Sequence, residues 1–174
     1  MRFFTKDWYR NCTVQTIQDA ADAYRTCVDG DGADPLRQEL LLHDETVESV
    51  TTSKTDLCIA FCHNPCGANV TQLTLIDATV LENDGIVAGD VWIYEELYRR
   101  ADGYELHILF WSEKALKELT VRITGIRCAY NEQALAIQRK MQTLFEAEKQ
   151  ETDPTRQREL EAEFLRLAKQ LKTL

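Results

Sequence analysis

Cys58, Cys62, His63 and Cys66, in the run C-I-A-F-C-H-N-P-C, are residue types that hold zinc. Their spacing argues against such a site. A strand over 56–62 puts Cys58 and Cys62 on one face but roughly 13 Å apart. The donors of one tetrahedral zinc lie roughly 4 Å from each other. Only Cys62, His63 and Cys66 can converge across the following turn, one ligand short, so neither a metal nor a cofactor is expected. Nor does His63 serve Cys62 as a base, because neighbours on a strand point to opposite faces. DGDGAD over 29–34 has the acids of a calcium loop, but Ala33, Asp34 and Leu40 stand where an acid, the turn glycine and the bidentate Glu belong.

Two polar sets remain. His43-Asp44, just before the first strand, can act as an acid–base pair or as a plain polar link. Glu96, Tyr98 and His107 share one face of a hairpin, as general acid–base equipment or as ordinary cross-strand contacts. No nucleophile elbow, phosphate loop, HExxH helix or dinucleotide fingerprint is present.

The element that must position the second set is Gly89–Ser112, GDVWIYEELYRRADGYELHILFWS. Asp102-Gly103 between two apolar, aromatic runs predicts a long β-hairpin with a two-residue turn. Regular alternation then gives two faces. Val91, Ile93, Leu97, Leu106, Ile108 and Phe110 form a core face, with Glu95 and Arg99 as exceptions. Trp92, Tyr94, Glu96, Tyr98, His107, Leu109 and Trp111 form an aromatic face studded with hydrogen-bonding groups. Such a face is either covered by the protein's own helices or left open to bind.

Around the hairpin, 5–28 reads as an amphipathic helix capped by Thr5, and Asp34-Pro35 starts a short helix. From Glu45 the apolar period falls to two. Strands are expected at 46–52, 56–62, at 70–83 with a break near Asp77, and at 119–129 with a bulge at Gly125. Beyond Tyr130 the chain is helical again. Asn131 caps a helix with Ala134, Ile137, Met141, Leu144 and Glu148 at a/d spacing. Asp153-Pro154 starts another with Leu160, Phe164, Leu167, Leu171 and Leu174. A short polar link makes the two antiparallel neighbours.

The net charge of −9 disfavours a nucleic-acid backbone as partner and favours a basic protein or peptide. Residues 130–174 hold eight acidic and eight basic side chains, so the whole excess lies in 1–129. No apolar run spans a bilayer, and Met1–Cys12 has no apolar leader core; a cytoplasmic setting with six reduced cysteines is expected.

M-R-F-F-T-K-D-W-Y at the start, L-L-H-D-E-T-V before the first strand, and G-D-V-W-I-Y-E-E-L-Y with D-G-Y-E-L-H-I-L-F resemble an uncharacterised family of bacterial cytosolic proteins whose members begin M-x-F-F-T-K-x-x-Y. The likeness covers roughly residues 1–129. It implies a bacterial cytoplasmic context and no mechanism.

The sequence therefore reads as α+β. A mainly antiparallel sheet of about six strands carries an N-terminal helix and a C-terminal antiparallel helical hairpin. Residues 1–129 form the α+β domain, helical over 1–44 and β over 45–129, and residues 130–174 form the hairpin. The function expected first is a non-enzymatic protein- or peptide-binding module using Trp92, Tyr94, Glu96, Tyr98, His107 and Trp111. Alternatives are a small hydrolase or metal-dependent enzyme using His43/Asp44 or Glu96/His107, and a structural homodimer through 131–174.

Overall fold

A computed structural model describes residues 1–28, 36–37, 40, 42–64 and 67–174. The calcium-like turn over 29–34, the Asp34-Pro35 helix start and Cys66 lie outside the described residues. The elements run α1 Lys6–Arg10, α2 Val14–Val28, β1 Val47–Ser53, β2 Asp56–Phe61, β3 Val70–Ile76, β4 Thr79–Asn83, β5 Val91–Arg100, β6 Gly103–Trp111, β7 Leu116–Ile123, β8 Gly125–Tyr130, α3 Glu132–Gln150 and α4 Pro154–Leu171. The fold is α+β as expected. Its strands number eight among the described residues, in two four-stranded antiparallel sheets ordered β1-β2-β3-β8 and β4-β7-β6-β5.

The two extra strands come from chain breaks that let one ribbon serve both sheets. Asp77, in the left-handed region at φ 49°, separates β3 from β4. Thr124 separates β7 from β8, so the phase slip read as a bulge at Gly125 is a change of sheet. At the bend the Thr124 amide donates to the Ile76 carbonyl at 3.0 Å and its hydroxyl to Asp77 Oδ2 at 2.8 Å. On the other side the sheets join through the approach to β1. There the Asp44 amide donates to the Trp92 carbonyl (2.8 Å), that of Trp92 to Glu45 (2.9 Å), and that of Val47 to Asp90 (2.8 Å).

Between the sheets lies one core. Alternate residues supply it: Leu57, Ile59 and Phe61 of β2, Leu73 and Leu75 of β3, Leu106, Ile108 and Phe110 of β6, and Leu119, Val121 and Ile123 of β7. Each such side chain contributes about 1.5–3 kcal/mol on leaving water. The first position of β6 needs Gly103. At φ 142° it passes so close to β7 that a Cβ there would stand 2.2 Å from the Ile123 carbonyl oxygen.

The N-terminal helix is two helices. Thr5 caps the first, accepting from the Trp8 amide. Its end at Asn11 is followed by a reciprocal cap in which the Thr13 and Thr16 hydroxyls accept from each other's backbone amides, at 3.3 and 2.7 Å. Asn131 and Asp153 cap α3 and α4 as expected, accepting from the amides of Ala134 and Thr155. The two helices bury Ala134, Ile137, Leu167 and Leu171 in a cluster separate from the intersheet core.

Candidate functional site

β5 and β6 pair with Arg100 opposite Gly103, Glu96 opposite His107 and Tyr94 opposite Leu109. The turn residues are thus Ala101-Asp102, one position before the expected pair, a shift that preserves the faces. A register change between Trp92 and Tyr94 does not preserve them. Ile93 is the extra residue, and it turns Trp92 inward. Trp92 is 0% exposed and packs edge-on against Phe61 and Phe110 at 6.1 and 5.5 Å. Its expected place beside Tyr94 on the aromatic face is therefore corrected.

The outer face of the hairpin is largely covered, and the chain's own N-terminus covers it. Glu96, 0% exposed, accepts from the backbone amides of Arg2, Phe3 and Phe4 at 2.6, 2.7 and 2.7 Å, and from the Tyr98 hydroxyl at 2.7 Å. Burial, then the Glu96 contact, pushes the Tyr98 hydroxyl well above its ordinary range. Tyr24 of α2 clasps β5: its hydroxyl accepts from the Leu97 amide at 2.6 Å and donates to the Leu97 carbonyl at 3.3 Å. Burial pushes it up to about 12. Phe4 stacks on Tyr94 at 4.9 Å, with Trp8 edge-on to the same ring at 5.2 Å. Leu109, expected on this face, is fully buried outside the intersheet core.

His107 joins the same network. Its Nε2 lies 2.9 Å from Glu105 Oε1, which can only accept while ionised. Arg100, 3.0 Å away, holds the Glu105 carboxyl below the ordinary range. Nε2 therefore carries the proton, and Nδ1 accepts from the Thr120 hydroxyl at 3.1 Å, with the Met1 nitrogen at 3.2 Å. The structure brings Glu96, Tyr98 and His107 together, each engaged by this chain's own groups.

His43 and Asp44 are paired at 3.0 Å and exposed, and the His43 ring meets Tyr94 edge-on at 5.2 Å. Asp44 sits at φ 68°, a turn conformation feeding the seam with β5. Cys62 is exposed, while His63 donates Nε2–H to the Leu171 carbonyl at 2.9 Å and so anchors the end of α4. Among the described residues no group of three or more His, Cys, Asp or Glu side chains is placed to hold a metal.

One member of the aromatic row remains open. Trp111 is 47% exposed and borders a cleft of about 490 Å³ lined by Tyr9, Arg10, Glu113, Lys114 and Leu116. Tyr9 closes one side from α1 and also meets Tyr94, at 6.2 Å. Tyr9, Arg10 and Lys114 belong to segments far from Trp111 in sequence, or to a loop, and no pattern pointed to them.

Two buried acids, Glu45 and Asp90, lacked a sequence signal, and a third acid, Glu95, stands out in the sequence only as an exception on the core face. Glu45 is buried in an otherwise polar run and accepts from the Ala68 amide at 2.7 Å; burial raises its carboxyl. It borders a polar cluster with Asn64, and a neighbouring cavity of about 230 Å³ is lined by His63, Asn64, Asn69 and Asn131. Asp90 pairs with Lys117 at 2.8 Å. Glu95 is the acid on the core face of β5, half-buried by surface and deep by its carboxyl end. It accepts from the Trp92 indole at 2.7 Å, and burial pushes it up to about 7.

Among the described residues no helix is long and apolar enough to cross a membrane. A family model described as "Protein of unknown function (DUF4085)" matches residues 5–123, from the first helix cap to the end of β7. No curated protein and no solved structure matches the chain.

Proposed function

Because the chain belongs to this family of unknown function, we propose a role from its geometry: a non-enzymatic module that binds a basic protein or peptide at the Trp111 end of the hairpin. The observation that carries this is the 47% exposure of Trp111 over a cleft, at the end of an aromatic row otherwise covered or turned inward. Aromatic anchors flanked by charged rims supply the centres of protein interfaces. The partner's sign rests on the charge of the whole molecule and not on the cleft's own lining, where Arg10 and Lys114 stand beside Glu113: the excess of −9 lies entirely in 1–129 and draws cations toward that region. The resemblance noted in the sequence supports a bacterial cytoplasmic setting, where Cys12, Cys27, Cys58 and Cys62 stay free thiols.

The test is selection from a random displayed peptide library, followed by titration against the wild type and Trp111→Ala. The expected result is enrichment of peptides with Lys or Arg around an apolar residue. Their affinity should fall about 10-fold or more with Trp111→Ala and weaken with added salt. Peptides that bind Trp111→Ala as tightly as the wild type refute the reading.

A further inference from the structure

We infer that the C-terminal hairpin is a self-association surface, on which two copies of the chain join their α3–α4 pairs into an antiparallel four-helix bundle centred on Phe145 and Phe164. The a/d seam runs the length of both helices, yet its full burial is confined to one end. Ala134, Ile137, Leu167 and Leu171 are buried where the hairpin meets the sheets. That end is fixed by Gln138 Nε2 donating to the Gly67 carbonyl at 3.3 Å and by His63 donating to Leu171. Farther out Met141, Leu144, Leu160 and Phe164 are only partly covered, and Phe145 is 41% exposed. An open groove of about 630 Å³ follows, lined by Met141, Phe145, Phe164 and Leu171 between Gln138 and Gln142. The apolar strip around Phe145 stays uncovered by the hairpin itself, and a second hairpin laid on it would complete a four-helix core.

Charge selects the occupant. The hairpin is neutral, with eight residues of each sign, on a chain of net −9. A strongly basic or acidic partner gains nothing there, whereas a second neutral hairpin meets no repulsion. Arg139 and Glu146 lie on α3 seven residues apart, either side of Gln142. An antiparallel α3–α3 contact centred on Gln142 sets Arg139 of each copy beside Glu146 of the other. The area is also sufficient. A helix of 19 residues is about 28 Å long and two lie about 18 Å wide. The footprint is then about 500 Å² per copy and about 1,000 Å² in total, the lower bound for a specific interface.

Sedimentation velocity of the full chain from about 1 to 200 µM reads the outcome, in the range where such an interface populates both states. The expected result is a concentration-dependent dimer. Phe145→Glu should raise its dissociation constant about 30-fold with the melting temperature of the sheet domain unchanged, since the side chain is exposed. Arg139→Glu and Glu146→Arg should each weaken the dimer, and the double exchange should restore it. Trp111→Ala should leave it intact, which separates this surface from the binding cleft. A monomer throughout overturns the inference, as does a dimer indifferent to Phe145→Glu, one broken by Trp111→Ala, or one whose charge exchange does not restore association.

Discussion

Glu95→Gln should make the protein more stable in alkali while changing little in acid. The fold holds the Glu95 carboxyl near 7, chiefly by burial, against an ordinary 4.5. A raised carboxyl pKa means the native state binds the proton more tightly than the unfolded chain. Its stabilising effect is complete below about 4.5, falls as pH rises, and is gone above about 7. At about 1.4 kcal/mol per pH unit, the whole interval costs about 3 kcal/mol. The substituted amide would keep an oxygen to accept from the Trp92 indole, whose bond is 2.7 Å in the wild type, and would have no charge to bury. Between about pH 5 and pH 8.5 the variant's advantage over the wild type should therefore grow by about 2.5 kcal/mol, or about 5–10 °C in melting temperature. Urea unfolding of both proteins across that range measures it. The difference between the two curves cancels other groups, among them Glu105 and Asp84, whose carboxyls are held low by Arg100 and Lys6 and which lose stability on acidification instead. Two curves that stay parallel refute the argument, because they would mean Glu95 ionises in the fold without penalty.

Glu96→Ala leaves the amides of Arg2, Phe3 and Phe4 without their acceptor, at about 1–3 kcal/mol for each group left buried. The N-terminal segment should lose hydrogen-exchange protection first, while amides of β6 and β7 keep theirs; unchanged exchange at Phe3 and Phe4 contradicts the clamp. Gly103→Ala forces a Cβ against the Ile123 carbonyl and strains a positive φ, so a loss of about 2–4 kcal/mol in chemical unfolding is expected. Lys117→Met leaves Asp90 buried without its cation and should cost about 3 kcal/mol, largely restored by Asp90→Asn in the same chain.

The core positions of β2, β3, β6 and β7 were legible in the sequence because a period of two needs nothing but alternation, and the helix caps because Thr5, Asn131 and Asp153 act within one turn. The second sheet was not legible. Its existence depends on Asp77 and Thr124 marking a passage between layers, and a local pattern cannot distinguish a bulge from a strand that changes partners. Trp92 was misplaced for a related reason, since one extra residue at Ile93 inverts everything N-terminal to it. At the site, Glu96, Tyr98 and His107 were found together because cross-strand pairing is arithmetic. What engages them was hidden, because Met1–Phe4 arrives from more than ninety residues away.

That arrival decides what the hairpin can still do. Three successive amides on one carboxylate, with Phe4 stacked on Tyr94, is how an aromatic, acidic groove takes a peptide, and here the peptide is the chain's own N-terminus. A tethered segment acts at an effective concentration of about millimolar. A free peptide competing for the Glu96 position must overcome that as well as the energy of the clasp itself. The Tyr24 contacts to Leu97 further hold α2 over the segment. In the proposed role, recognition therefore falls on Trp111, which is 47% exposed, rather than on Glu96. The same logic separates two kinds of variant. Changes at Glu96 or Tyr24 act on folding and reach binding only through it. A change at Trp111 acts on binding with stability held, and that split between the two readouts distinguishes a docking residue from a covering one.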